Sequence, residues 1–260
     1  MFGILLASMG IISAMPQEAN LIMNQIEHQE IIDIGVHQFV KGTLEGIPAV
    51  FSLCGVGKVS AAATAALLIA KFDVNEIVFT GVAGGGNGIE IGDIVIGSSY
   101  LQHDLDLRPI FPQFHIYSLN EQLLHADIDK VSKMKAAADR FFQQGISFPD
   151  LGITAPKAHI GIIASGDQFI SNLAHYREIV NKTKDILPNG FHAIEMEGAA
   201  VAQVCRELGV PFVIMRAISD KANHEAAIDF LTFMDQVASY YSFGVLKEYI
   251  RDACLSNQKF

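Results

Sequence analysis

The chain has 260 residues, half of them apolar, and carries 18 Lys+Arg against 28 Asp+Glu for a formal net charge of -10. That length allows one large α/β domain or two small ones. The acidic balance, without any basic run, argues against a nucleic-acid partner, whose phosphates are met by clustered Lys and Arg. Cys54, Cys205 and Cys254 are widely spaced and form no CxxC pair, so no zinc site or disulfide framework is expected and the thiols read as free and buried.

Residues 1–15 are nearly all apolar or small, and no Lys or Arg precedes Lys41. A secretory signal wants a basic start and a cleavage site, and a membrane helix needs about 20 apolar residues. The stretch therefore reads as a buried first strand of a soluble, cytoplasmic protein without a membrane partner. Residues 10–15 end that strand, and Pro16 suits the first turn of a helix. Ala19, Ile22, Met23 and Ile26 continue at helical spacing. A strand over 31–36 precedes a hairpin, 38–43 with 47–53, turning at 44–46. Gly55 and Gly57 open an Ala-rich helix over 58–71, and 76–80 is a buried strand.

The glycine cluster 81–88 follows, then a strand over 89–96 containing Gly92 and Asp93. Residues 101–117 look irregular, 121–144 helical, 145–158 a loop and 159–165 a strand. A helix over 173–181, a short strand over 193–196, a helix over 198–208 ended by Gly209 and Pro211, and an apolar strand over 212–218 come next. One long amphipathic helix, about 228–254, closes the chain. No linker or repeat divides it. The alternation predicts a single domain over 1–260, a three-layer α/β/α sandwich around a mixed central sheet.

In such folds ligands sit beyond the carboxyl ends of the strands, which directs attention to six strand ends, four of which carry a carboxylate. Residues 55–58 fail as a P-loop because the gap is too short and Val59 replaces Ser or Thr. The 81–88 run fails as a dinucleotide fingerprint because a strand follows it. Its glycines fit tight turns as well as close approach to a ligand. Glu195 and Glu197, two apart on extended chain, would face the same way. Glu197 is equally suited to cap the next helix, Asp220 to form a turn, and Glu18 to sit in a first helical turn. The nine histidines show no metal-binding spacing, and no GxSxG supports a serine hydrolase.

The blocks GIISAMPQE (10–18), GVGKV (55–59), TGVAGG (80–85), GDIV (92–95), SGDQFI (165–170), AIEMEG (193–198) and RAISD (216–220) occur in this order. Together they resemble the nucleosidases that hydrolyse 5'-methylthioadenosine and S-adenosylhomocysteine, members of the purine and uridine nucleoside phosphorylase superfamily. The resemblance runs from about Met9 to about Phe243. It implies a nucleoside phosphorylase-like fold, a homodimer, an adenine nucleoside as substrate and no cofactor or metal. It also implies roles: Glu18 activates the attacking water, Asp220 protonates purine N7 with Ser219 holding it, and Glu197 binds the ribose hydroxyls beside Glu195 and Met196. Phe169 and Ile170 clamp adenine, Val56, Ala83 and Gly84 line the ribose side, and Phe230 covers the 5' substituent.

Some features depart from the pattern. Pro16 and Gln17 stand where the family is acid-rich, segments 102–112 and 148–156 differ, and the extra residues before Met9 leave it as an alternative start to Met1. The expected activity is hydrolysis releasing adenine, with 5'-deoxyadenosine and aminodeoxyfutalosine as further candidate substrates. A phosphate-dependent phosphorylase, with Arg216 as an anion contact, and a non-catalytic nucleoside-binding protein are the alternatives.

Overall fold

A computed structural model describes residues 8–222 and 226–257, apart from the side chains of 227, 228 and 253–257. Residues 1–7 of the apolar start, and the side chain of Cys254, lie outside that description. The elements in order are β1 (Met9–Ser13), α1 (Pro16–Gln25), β2 (Glu27–Ile34), β3 (His37–Leu44), β4 (Ile47–Leu53), α2 (Lys58–Phe72), β5 (Glu76–Gly85), β6 (Ile94–Gln102) and β7 (Leu124–His125). They continue with α3 (Ile128–Phe142), β8 (Ala158–Ser165), α4 (Leu173–Thr183), β9 (Ala193–Glu195), α5 (Gly198–Leu208), β10 (Phe212–Asp220), α6 (Ala226–Phe233) and α7 (Ser239–Asn257).

The mixed sheet is present. Its strands run β10-β6-β8-β9-β5-β1-β4-β3-β2, with β7 on β6 and a further pairing of β10 with β5. That last pairing closes β5, β10, β6, β8 and β9 into a ring, which alternation of elements alone does not reveal. Helices cover both faces. Ala19 and Ile22 of α1, Val131 and Met134 of α3, and Tyr241 and Val245 of α7 pack on one side. Ala61, Ala65 and Leu68 of α2 and Ala199 and Val201 of α5 pack on the other. Small residues in α2 and α5 let these helices lie close to the sheet and to each other. Cys54 and Cys205 are free and buried.

Several boundaries differ from expectation, β2 among them, which runs Glu27–Ile34 rather than 31–36. β5 runs on through Gly85 because the glycines keep pairing, Arg216 of β10 opposite Gly81 and Asp220 opposite Gly84. β6 starts only at Ile94, since Gly92 has φ +89°, which bends the chain into a turn. The expected helix from 121 begins at Ile128, where Asp127 accepts from the amides of Asp129 and Lys130 as its cap. Ahead of it, Leu124 and His125 pair with β6 instead. The closing helix is interrupted by five residues of wider π-type winding, Met234–Ala238, a local insertion that a 3.6-residue periodicity does not register.

Candidate functional site

β1, β5, β8, β9 and β10 end around one cavity of about 330 Å³, and each delivers a different part of its wall. Glu18, in the first turn of α1, is buried although it is ionisable. One oxygen, Oε2, accepts from the Ala14 and Met15 amides, both at 2.8 Å, and Oε1 accepts from the Val82 amide at 3.0 Å. The side chain thus reaches back over the start of its own helix and across to β5. Burial pushes its pKa above the ordinary carboxylate value, against the charge of Arg216 and the three amides.

Asp220 ends β10 after a break in register between Ile218 and Asp220, a bulge that turns its carboxyl toward the cavity. It is 2% exposed. Oδ2 accepts from the Ser219 hydroxyl at 2.8 Å and Oδ1 from the Ala222 amide at 2.8 Å. Burial raises its pKa, opposed by those two hydrogen bonds. The glycines of β5 make room for both groups: a Cβ on Gly81 would sit 2.8 Å from Glu18 Oε1, and one on Gly84 would sit 3.1 Å from Asp220 Oδ1. Close packing against these two acids, rather than a tight turn, is thus the requirement at Gly81 and Gly84.

Glu195 and Glu197 line the same cavity but are held by different partners. Glu195 accepts from Arg216 Nε at 3.1 Å and Nη2 at 2.6 Å, from the Ser165 hydroxyl, and from the Gly198 amide at 2.8 Å. It caps α5 and neutralises Arg216, whose guanidinium also lies 3.9 Å over the Phe79 ring. Glu195 lines the cavity, yet its oxygens are already engaged. Both side chains reach the same cavity, although β9 ends at Glu195 and Glu197 stands outside the strand. Glu197 occupies the helix N-cap position without capping it; its Oε1 accepts instead from the Gly57 amide at 2.8 Å, on the facing loop. Burial and the neighbouring Glu195 charge push its pKa up to about 8. Gly57 can present that amide because its φ is +97°.

The remaining predicted residues gather here too. Val56, Ala83, Gly84, Phe169, Met196, Ser219 and Phe230 line the cavity with the three acids and Glu195. Ile170 lies in a smaller recess shared with Gly84, Phe169 and Asp220. The Phe169 and Phe230 rings meet edge-on at 5.5 Å, and Phe169 remains half exposed. The loop bearing Phe169 is tied down by Asp167, which accepts from the Lys58 amide at 2.8 Å and donates its own amide to Asp104 at 2.9 Å. Asp104 in turn pairs with Lys58 Nζ at 2.6 Å.

Ala14, Met15, Val82 and Ile194 line the cavity without having been singled out; each adjoins or lies near a named residue, and apolar lining has no distinctive sequence signal. Arg216 entered the sequence reading only as an anion contact, whereas its pairing with Glu195 has a sequence signal of its own. An arginine inside an apolar strand must be paired when buried, and that pairing removes the free guanidinium a phosphate contact requires. No group of three His, Cys, Asp or Glu among the described residues is placed to hold a metal, and no described helix is long and apolar enough to cross a membrane.

The phosphorylase superfamily profile matches residues 8–251. A 5'-methylthioadenosine/S-adenosylhomocysteine nucleosidase from an Exiguobacterium species is 33% identical over 227 residues, covering 87% of this chain and 90% of the relative. The nucleosidase of that name from Neisseria meningitidis, in complex with methylthio-immucillin-A, matches with TM-score 0.81 at 31% identity, over 95% of this chain and 100% of the other. Futalosine hydrolase of Helicobacter pylori matches with TM-score 0.81 at 29% identity, over 95% and 99% of the two chains. With the superfamily profile matched over residues 8–251 and relatives above 30% identity along most of the chain, the chain belongs to the phosphorylase superfamily and, within it, to the 5'-methylthioadenosine/S-adenosylhomocysteine nucleosidase family.

Proposed function

We propose that the chain, folded as one domain, is an N-glycosyl hydrolase that releases adenine from 5'-methylthioadenosine and S-adenosylhomocysteine. The observation that carries this reading is the placement of two buried, raised-pKa carboxyls on one cavity, Asp220 also in its aromatic recess and Glu18 away from that recess. A purine fits between Phe169 and the backbone near Ile170. Asp220, whose pKa burial raises, then donates a proton to N7 as the glycosidic bond lengthens. Glu18 Oε1 accepts one amide and has a second lone pair for the attacking water. Acid and base catalysis of this kind each contribute about 10²–10⁴-fold. Glu197 meets the ribose hydroxyls and, as it ionises, favours the positive charge that develops on the sugar.

Phosphorolysis is disfavoured by the commitment of Arg216 to Glu195 and by the carboxylate of Glu18 where a dianion would have to lie. A purely binding role has no use for three such acids. We also propose a cytoplasmic homodimer, supported by exposed Ile110 and Tyr117 on the segment after β6, with Phe230 and that segment shaping the 5' pocket. Adenine release from 5'-methylthioadenosine, S-adenosylhomocysteine, 5'-deoxyadenosine and aminodeoxyfutalosine in phosphate-free buffer tests the reading. Turnover of at least the first two is expected; release that appears only after phosphate is added would contradict it.

A further inference from the structure

The GDIV block supplies no group to the cavity, yet its first two residues make contacts that converge on the strand bearing Asp220. The Gly92 amide donates to the Ile218 carbonyl at 2.8 Å, and the Ile218 amide donates to the Asp93 carbonyl at 2.8 Å. These two bonds fix β10 two residues before the acid, on the near side of the bulge. On the far side, Lys221 Nζ donates to the Ile89 carbonyl at 2.7 Å and to Glu90 Oε2. The turn 89–93 therefore grips the chain immediately before and immediately after Ser219 and Asp220.

The turn is itself anchored through one buried side chain. Asp93 is 5% exposed. Its Oδ1 accepts from the Lys157 amide at 2.8 Å, and its Oδ2 accepts from the Glu90 amide at 3.1 Å and from His159 Nε2 at 2.9 Å. A carboxylate is acceptor-only, so Nε2 carries the proton. Gly92 admits no side chain, since a Cβ there would fall 2.6 Å from Ile153. The turn cannot slide without breaking this anchor.

We propose that Asp93, held by His159, is a positioning residue for Asp220: the Asp93 carboxylate fixes the turn, and the turn fixes the acid. The inference rests on Asp220 being the general acid. The groups facing Asp93 are Lys157 just before β8, His159 within it, Glu90 of the turn and Tyr241 of α7, whose phenol burial and then the Asp93 charge push up. Those facing Asp220 are Ser219, the Ala222 amide and Asp229 of α6. If the turn loosens, water reaches Asp220 and the upward push of burial on its pKa weakens. An acid that must be protonated then loses activity at lower pH.

The test is the pH profile of adenine release by Asp93→Asn and His159→Ala, with Tm measured alongside and Asp220→Asn as control. In Asp93→Asn the new amide group opposes at least one of the donors that the carboxylate accepts. A fall in kcat of about 10- to 100-fold, the cost of a displacement of ~1 Å, is expected with little change in KM. The alkaline limb should move to lower pH. His159→Ala, which removes a single bond, should show the same shift in smaller measure and serves if Asp93→Asn does not fold. An unmoved limb in folded variants, with activity tracking only the amount of folded protein, would overturn the positioning role. Full activity in Asp220→Asn would instead overturn the catalytic reading on which it rests.

Discussion

The two ends of β5 place buried carboxylates in opposite circumstances. At its start Glu76, 8% exposed, is held by Lys130 Nζ at 2.6 Å and by the Tyr249 hydroxyl, a contact that pins α3 and α7 to the sheet. At its finish, glycines open space for Glu18 and Asp220, which are met by backbone amides and a hydroxyl but by no ion-pair partner among the described residues. A buried carboxylate with its own lysine is neutralised and mechanically useful. One that faces a cavity with only neutral donors keeps a raised pKa and a free lone pair, the properties proton transfer needs.

The contrast breaks most visibly on activity. Glu18→Gln should lower kcat by about 10²–10⁴-fold, far beyond the modest loss of melting temperature that its new amide group, set against a backbone N–H, would cause. Glu76→Gln should do the reverse, leaving kcat intact and costing about 1–3 kcal/mol through the weakened Lys130 and Tyr249 contacts. Steady-state kinetics and thermal unfolding on the two variants separate the ends of the strand. Equal loss of activity in both would remove the distinction.

A smaller effect sharpens it. The Glu197 carboxyl, pushed up to about 8, lies above its unfolded value. Below the unfolded value both states are protonated and nothing is lost. Between the two values the unfolded state gives up its proton first, so the group's contribution to stability falls as pH rises. Glu197→Gln keeps an acceptor for the Gly57 amide and removes that penalty. Its Tm should match the parent near pH 4 and exceed it near pH 8, by roughly 2–4 °C for a gain on the order of 1 kcal/mol. A variant less stable at pH 8 than at pH 4, relative to the parent, would contradict the assigned environment.

Much of the fold was legible because local rules agreed with it. The helix start at Pro16, the hairpin around 44–46 and the helix stop at Gly209 all stand where turn and cap chemistry put them. The sequence could not show β7, two residues long and defined only by pairing with Ser99 and Tyr100, or the closure of β10 on β5. The candidate site was legible as a set of strand ends, and all twelve named residues line the cavity or its recess. What separates Glu195 from Glu197 was not, because it depends on Arg216, 21 residues along the chain and across the ring of strands. The turn 89–93 read as strand because its apolar residues suit either state, and its grip on β10 exists only in three dimensions.

The most direct test of the central claim is turnover of 5'-methylthioadenosine by Asp220→Asn, measured as adenine released under single-turnover conditions on protein shown to melt as the parent does. Asparagine keeps the shape of the side chain but cannot deliver the proton. The account predicts loss of about 10²–10⁴-fold in the rate of bond cleavage, with the nucleoside still bound. Parent-like cleavage by the folded variant would contradict it.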